Sequence, residues 1–125
     1  MSAPQRAPDT RLYVGRRLMR GDVGVGVVVV KRDDDGADQP LPVRLDLVRH
    51  SPDGFEWAYA GSGPAQLACA LLADCEGDAV ALRFYPAFKF TTVVGFEVEG
   101  WAITAAQVRA RLETIRAEAE AGQRQ

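Results

Sequence analysis

The chain contains a single histidine, His50, and only two cysteines among its 125 residues. A protein zinc site needs three or four ligands, and neither a CxxC nor an HxxxH spacing is present, so we expect no bound metal. Cys69 and Cys75 fall on one predicted helix, separated by about 9 Å of helical rise, which does not suit a disulfide. No cofactor is expected from any other motif.

The sequence also lacks long apolar runs and a strong charge of either sign. No stretch reaches the roughly 20 apolar residues of a membrane-spanning helix, and residues 1–8 lack the apolar core of a signal peptide. We therefore expect a cytoplasmic protein that does not enter the membrane. The formal net charge is −2, which argues against nucleic acid as the partner.

Length and hydrophobic content predict one α+β domain. A chain of 125 residues with 47% hydrophobic side chains fits a single continuous core. We predict a small, mainly antiparallel sheet of four to five strands, packed on one side by two to three helices. The expected boundaries are a flexible N-terminal arm over residues 1–10, the domain over 11–121 and a frayed C-terminus over 122–125.

Alternating apolar and polar residues predict the strands. Gly24 and Gly26 indicate close packing or a bulge in the second of them, and a polar loop is expected over residues 33–42. The predicted strands lie at residues 11–18 and 22–31, in a β-hairpin over 43–60, and over 96–103.

Three helices are indicated by apolar residues at helical spacing. The first is expected to open at Gly61-Ser-Gly-Pro64, with the proline at the first helical position. The second follows Gly77, and we expect Pro86 to kink it or stop it early. The third follows Thr104, whose spacing from Gln107 predicts a capping box.

One segment combines several kinds of recognition chemistry. An aromatic hairpin leads through glycine, serine, glycine and proline into a helix N-terminus, where free N–H groups and the helix dipole favour an anion. Aromatic rings beside it could stack a base or sugar, and polar side chains could form hydrogen bonds. The candidate ligand-binding residues are His50, Trp57, Tyr59, Gly61, Ser62, Gly63 and Gln66.

A purely structural interpretation of the same residues stays open. Phe55, Trp57 and Tyr59 then face the core, Ser62 caps the helix, and the two glycines permit a tight turn. A lone histidine beside a turn is commonly a hydrogen-bonding loop residue.

The run from His50 to Leu72, HSPDGFEWAYAGSGPAQLACALL, resembles the signature of an uncharacterised family of small proteins from bacteria, archaea and their phages. That signature reads H-S-P-x-G-F-x-W-G-Y-x-G-S-G-P-x-Q-L-A-x-A-L-L, and the resemblance extends loosely over residues 41–108. The family pattern usually has glycine where Ala58 stands, and no proline at position 86. The resemblance implies a compact domain often carried by mobile elements, and no reaction.

Three functional hypotheses follow. The leading one is a non-enzymatic binding or accessory module of a phage, plasmid or prokaryotic host, which recognises a small anionic ligand or a host protein. The second is a small hydrolase or transferase with His50 as base, Ser62 as nucleophile and the Gly63 and Ala65 amides as oxyanion donors. The third is a homo-oligomer that pairs through the edge of the valine-rich strand.

Overall fold

The computed structural model describes residues 6–123, and it confirms an α+β fold. Four antiparallel strands form one sheet, and three helices accompany them. The elements in chain order are β1 (Leu12–Arg20), β2 (Val23–Arg32), β3 (Asp38–Pro40), α1 (Ser62–Glu76), α2 (Asp78–Thr91), a short 3-10 turn (Val93–Gly95), β4 (Gly100–Thr104) and α3 (Ala105–Gln123). No helix within the described residues is both long and apolar enough to cross a membrane.

The sheet has the strand order β3-β2-β1-β4. The two long strands β1 and β2, both predicted as strands, pair with each other as a hairpin at the centre of the sheet, and β4 pairs with β1 on the outer side. The three-residue strand β3 lies inside the predicted 33–42 loop, and its brevity explains why no alternation reveals it. The pairing shifts between Leu18 and Met19, opposite Gly26 and Gly24, so the predicted bulge is confirmed.

The core lies between one face of this sheet and the helices. Tyr13, Val29 and Ile103 project from neighbouring strands into this core, where they meet apolar side chains of α1 and α3. Gly15 belongs to the same face, and a Cβ added to it would lie 2.3 Å from Cε2 of Trp101. Trp101 therefore packs flat against the β1 backbone, an approach that only glycine permits.

Helices α1 and α2 form a tight hairpin around one residue. Gly77 ends the first helix and precedes the second with φ of 99°, a conformation that favours glycine. The expected early stop at Pro86 is wrong, because α2 continues to Thr91. The proline lies on the exposed side, where water can satisfy the Leu82 carbonyl that loses its helical donor.

The N-terminus of α3 is capped as predicted. Thr104 Oγ1 accepts a hydrogen bond from the Gln107 amide at 3.1 Å, while the Gln107 side chain accepts one from the Thr104 amide at 2.9 Å. These two bonds form a capping box and confirm the third helix.

The predicted β-hairpin over residues 43–60 is wrong. Residues 41–61 form an irregular connecting segment without strands. Leu47 and Val48 both donate to the Arg44 carbonyl, which closes a turn where the alternation predicts a strand. Arg44 and Ala58 have φ of 61° and 72°, which are incompatible with an extended chain. The alternation of apolar residues arises because the segment covers the core with one side. Its sequence therefore resembles that of a strand, although it pairs with no other strand in the described residues.

The last strand is shorter than predicted. β4 begins at Gly100, whereas Phe96 to Glu99 lie outside it. The Val98 carbonyl accepts hydrogen bonds from the side chains of Trp57 and Arg17, so it makes side-chain contacts in place of a strand ladder.

Residues 6–10, which the sequence places in a flexible arm, are packed against the helices. Ala7 is buried, and its amide donates to the Cys75 carbonyl at 3.1 Å. The Arg109 guanidinium binds the Ala7 carbonyl and the carboxylate of Asp9. The first five and last two residues of the predicted termini lie outside the described range.

A polar network joins the sheet to α1. The Asp74 carboxylate accepts hydrogen bonds from Lys31 at 2.7 Å, from the Tyr13 hydroxyl at 2.7 Å and from Arg11 at 2.9 Å. Burial acts to raise the pKa of Asp74, but these three donors outweigh it and hold the pKa below its usual value. The network therefore stabilises an ionised carboxylate under the sheet.

Candidate functional site

The side chain of Gln66 on α1 binds the connecting segment, residues 41–61, through hydrogen bonds. This side chain is fully buried on α1, and its Oε1 accepts from the amides of His50 at 3.0 Å and Ser51 at 3.2 Å. Its Nε2 donates to the carbonyls of Val43 at 2.7 Å and Val48 at 3.0 Å. One amide group thus satisfies four main-chain groups of an irregular segment, which has no ladder of its own.

The three aromatic residues of the segment do not share one face. Trp57 is 1% exposed, lies edge-on to Trp101, and donates its indole N–H to the Val98 carbonyl at 2.9 Å. Tyr59 is 52% exposed, and its ring covers Gly61, where an added Cβ would lie 2.3 Å from Cε2. Phe55 is half-buried beside the core. The predicted aromatic platform is therefore divided between the interior and the surface.

A bidentate ion pair holds the middle of the segment. Arg17 on β1 donates to both carboxylate oxygens of Glu56, at 2.8 and 2.9 Å, and its guanidinium lies 4.9 Å from the Trp57 ring centroid. Hydrogen bonds from Arg17 lower the pKa of Glu56. Sequence reasoning misses Arg17 because the partners are far apart along the chain and become neighbours only when the segment folds over β1.

The beginning of α1 leaves main-chain donors free. Gly61 is the N-cap residue, and no side chain caps the helix, so the predicted capping by Ser62 is absent. Ala65 donates to the Gly61 carbonyl, but the amides of Ser62 and Gly63 donate to no acceptor in the described part of the chain. Ser62 is exposed, whereas Gly63 is buried against Glu56. The positive end of the helix dipole therefore reaches the surface at Ser62.

A surface depression of about 290 Å³ opens at this helix end. His50 and Ser62 line it from the predicted site, and Tyr85 and Lys89 line it from α2. His50 Nε2 lies 2.7 Å from the Tyr85 hydroxyl, so the two rings are fixed relative to one another. The other lining residues are Gly61, Ala65 and Pro86, and none of the seven is acidic.

The structure brings together only part of the predicted set. His50, Gly61 and Ser62 meet at the depression, and Tyr59 lies next to it across Gly61. Trp57 and Gln66 are buried with their polar groups bonded to the protein, so we omit them from the candidate surface. Their roles in ligand binding, like those of the other residues, stay a prediction.

Sequence reasoning also misses Tyr85 and Lys89. They are four residues apart on α2 and therefore share one side of that helix. Lys89 makes no ion pair within the described residues, and its ammonium lies 4.2 Å from the Phe90 ring centroid. The helical spacing marks the pair as neighbours, but only the α1–α2 packing brings them to His50.

The cysteines carry no thiolate chemistry. Both are buried and free of a disulfide. Burial raises the pKa of Cys69 and raises that of Cys75 to about 11, so both thiols stay protonated at neutral pH. Among residues 6–123, no group of three or more His, Cys, Asp or Glu side chains is arranged to hold a metal ion.

A second depression of about 390 Å³ lies between the end of α2 and the beginning of α3. Its polar groups already have partners: Gln107 belongs to the capping box, and the hydroxyls of Thr91 and Thr92 lie 3.2 Å apart. Arg111 is its one charged lining residue. Both depressions contain a cation, and the one at the α1 terminus is the better candidate because it adds an unused main-chain donor at Ser62.

Comparison with protein families gives one match. The model of a family described as "Family of unknown function (DUF6166)" matches residues 13–114. No curated protein and no solved structure matches the chain.

Proposed function

Because this chain belongs to the family of unknown function DUF6166, we propose its role from the site itself: a non-enzymatic binding module that recognises an anionic group. The observation that carries the proposal is the depression where Lys89, His50 and Ser62 at the beginning of α1 converge without a lining carboxylate. Ammonium and amide N–H groups that share a concave surface favour an anion.

The resemblance to proteins of bacteria, archaea and their phages supports an accessory role in such a host, in the cytoplasm. A net charge of −2 supports a discrete anionic group over nucleic acid as the ligand. The exposed ring of Tyr59 beside Gly61 would contact an apolar portion of the ligand.

A titration with inorganic phosphate, followed by amide chemical shifts, tests the site. We expect saturable shifts of the Ser62 and Gly63 amides, and affinity that falls by about fivefold in Lys89→Gln, as expected for one partly exposed charge contact. Ser62→Trp should abolish the shifts because the indole fills the depression. Arg20→Gln, which removes an equal charge at the exposed end of β1, is the matched control.

The site would be refuted if phosphate shifted amide signals over the whole surface and the shifts did not saturate. Equal effects of Lys89→Gln and Arg20→Gln would refute it as well, because a specific contact must depend on position and not on total charge.

A small hydrolase or transferase is the competing proposal, and it is supported by the presence of His50 and Ser62 in one depression. Three observations weigh against it. The His50 Nε2 contact goes to Tyr85, no hydrogen bond joins His50 to Ser62 within the described residues, and the Ala65 amide already donates to Gly61. Hydrolysis of p-nitrophenyl acetate or phosphate that disappears in Ser62→Ala, with the fold intact, would favour the enzyme.

A homo-oligomer through the edge of β2 is the third proposal. β3 pairs only with Val30 to Arg32, which leaves the outer edge of residues 23–28 without a strand partner in the described chain. Val23 and Val25 there are 65% and 56% exposed. The bulge opposite Leu18 and Met19 bends this edge, which is a common protection against strand pairing, so we rank the oligomer below the binding module. Light scattering after size-exclusion chromatography measures the state directly.

A further inference from the structure

Helix α2 exposes an apolar stripe on the side opposite its core face. Leu82 and Phe90 are 47% and 60% exposed, and Pro86 between them is exposed as well. A spacing of four residues keeps the three on one side of the helix over about 12 Å. The buried residues Ala81, Phe84 and Phe88 occupy the other side, so the stripe contributes nothing to the core.

The stripe and the depression form one continuous surface. Tyr85 and Lys89 line the depression, and Lys89 contacts the ring of Phe90, which ends the stripe. Pro86 belongs to both, because it lines the depression and lies midway along the stripe. We name this combined surface the α2 face, defined by Leu82, Pro86, Phe90 and the depression beside them.

Along the stripe, the charged side chains of α2 have one sign, and Glu120 of α3 lines a small depression together with Arg83. Residues 79–96 contain Arg83 and Lys89 and no aspartate or glutamate. The beginning of α1 at Ser62 adds further positive potential at the depression. Apolar area bordered by cations is complementary to a ligand that presents apolar and acidic groups together.

Pro86 also removes a main-chain donor in the middle of the α2 face. Pro86 has no N–H, so the Leu82 carbonyl lacks the donor that a helix interior supplies four residues later.

We propose that the α2 face docks an acidic, apolar segment of another protein, with apolar side chains on the stripe and a carboxylate in the depression. The inference rests on the proposed anion site and specifies its ligand as a polypeptide. A second copy of this chain fits less well, because a contact between two stripes would bring Arg83 and Lys89 of one copy close to Arg83 and Lys89 of the other. An anionic membrane fits less well, because surfaces that bind such lipids usually carry about four to eight cations.

A random peptide display library of about 12 residues, selected on the immobilised full chain, tests the inference. We expect enriched peptides to carry a net negative charge together with apolar residues, and a synthetic copy to bind in fluorescence anisotropy. The double variant Leu82→Ser/Phe90→Ser should weaken that peptide by about tenfold or more, and Lys89→Gln by about fivefold. Val98→Ser is the matched control, since Val98 is 58% exposed outside the α2 face.

Enrichment of neutral or basic peptides, absence of enrichment, or equal binding to wild type and the double variant would overturn the docking proposal. If phosphate still shifts the Ser62 and Gly63 amides in those cases, the anion site stands and only its polypeptide ligand is refuted. If phosphate fails as well, both proposals fall. Dimerisation or sedimentation with phosphatidylserine vesicles that is lost in Phe90→Ser would assign the stripe to a second copy or a membrane and overturn the inference.

Discussion

Replacement of Gln66 by methionine removes the amide that holds the connecting segment while it keeps nearly the same side-chain volume. The amides of His50 and Ser51 and the carbonyls of Val43 and Val48 then lose their partner. A buried polar group left without a hydrogen bond costs about 1–3 kcal/mol. The sum over four groups would approach the whole stability of a small domain, which is about 5–15 kcal/mol.

The loss cannot reach that sum, because His50 is exposed and Ser51 and Val43 are only half-buried. Water can reach these groups once the segment loosens. We therefore expect Gln66→Met to lower the free energy of unfolding by about 3 kcal/mol, close to two fully unsatisfied groups. We also expect a smaller denaturant m-value, because a detached segment exposes surface before global unfolding begins.

Urea unfolding followed by tryptophan fluorescence measures both quantities. Gln39→Met is the matched control, because Gln39 is exposed on β3 and its replacement should change stability by less than about 0.5 kcal/mol. Amide hydrogen exchange of residues 43–51 should accelerate selectively in Gln66→Met. A loss below about 1 kcal/mol, with unchanged exchange in this segment, would show that the segment is held by other contacts and would refute the reasoning.

Three further predictions concern the core, the backbone and pH. Gly15→Ala places a Cβ against Trp101 and should lower the free energy of unfolding by about 2–3 kcal/mol in urea titrations, with an altered near-UV tryptophan dichroism. Ala58→Gly relieves a φ of 72° and should raise the unfolding free energy by about 0.5 kcal/mol, seen as a higher urea midpoint; a lower midpoint would contradict this. The pKa of Asp74 is lower in the folded protein than in the unfolded chain. The ionised carboxylate therefore stabilises the fold above the pKa of the unfolded chain, about 3.9, and this stabilisation is lost as pH falls through the pKa of the folded protein. Asp74→Asn should therefore flatten the loss of stability below about pH 4, and an unchanged slope would exclude this carboxylate as its source.

The sequence identifies the elements whose periodicity comes from burial on one face. Strands β1 and β2 and helices α1, α2 and α3 all carry that signal, and each is present in the structure. The connecting segment carries a similar pattern but folds differently. Its alternating residues are half-buried like those of a strand, but Gln66 and the positive φ of Arg44 and Ala58 give it a different path.

At the candidate site, the sequence indicates some residues, and tertiary packing places the others. The sequence indicates His50 and Ser62, because the glycines and the beginning of a helix can be recognised from neighbouring residues. It does not reveal that Trp57 would be buried while Tyr59 stays exposed, or that Tyr85 would contact His50. Those contacts depend on how the helices and strands pack on one another, and the spacing of residues within the connecting segment does not determine that packing.

The chain by itself determines the α+β class, the order of its long elements, the capping box and the helix terminus near Ser62, because short-range propensity and hydrophobic period specify each of them. Only the tertiary structure decides that α2 supplies Tyr85 and Lys89 to that terminus, and that Leu82, Pro86 and Phe90 remain uncovered. The physical reason is that burial and proximity between distant segments come from the packing of whole elements, and a residue's immediate neighbours in sequence do not fix that packing.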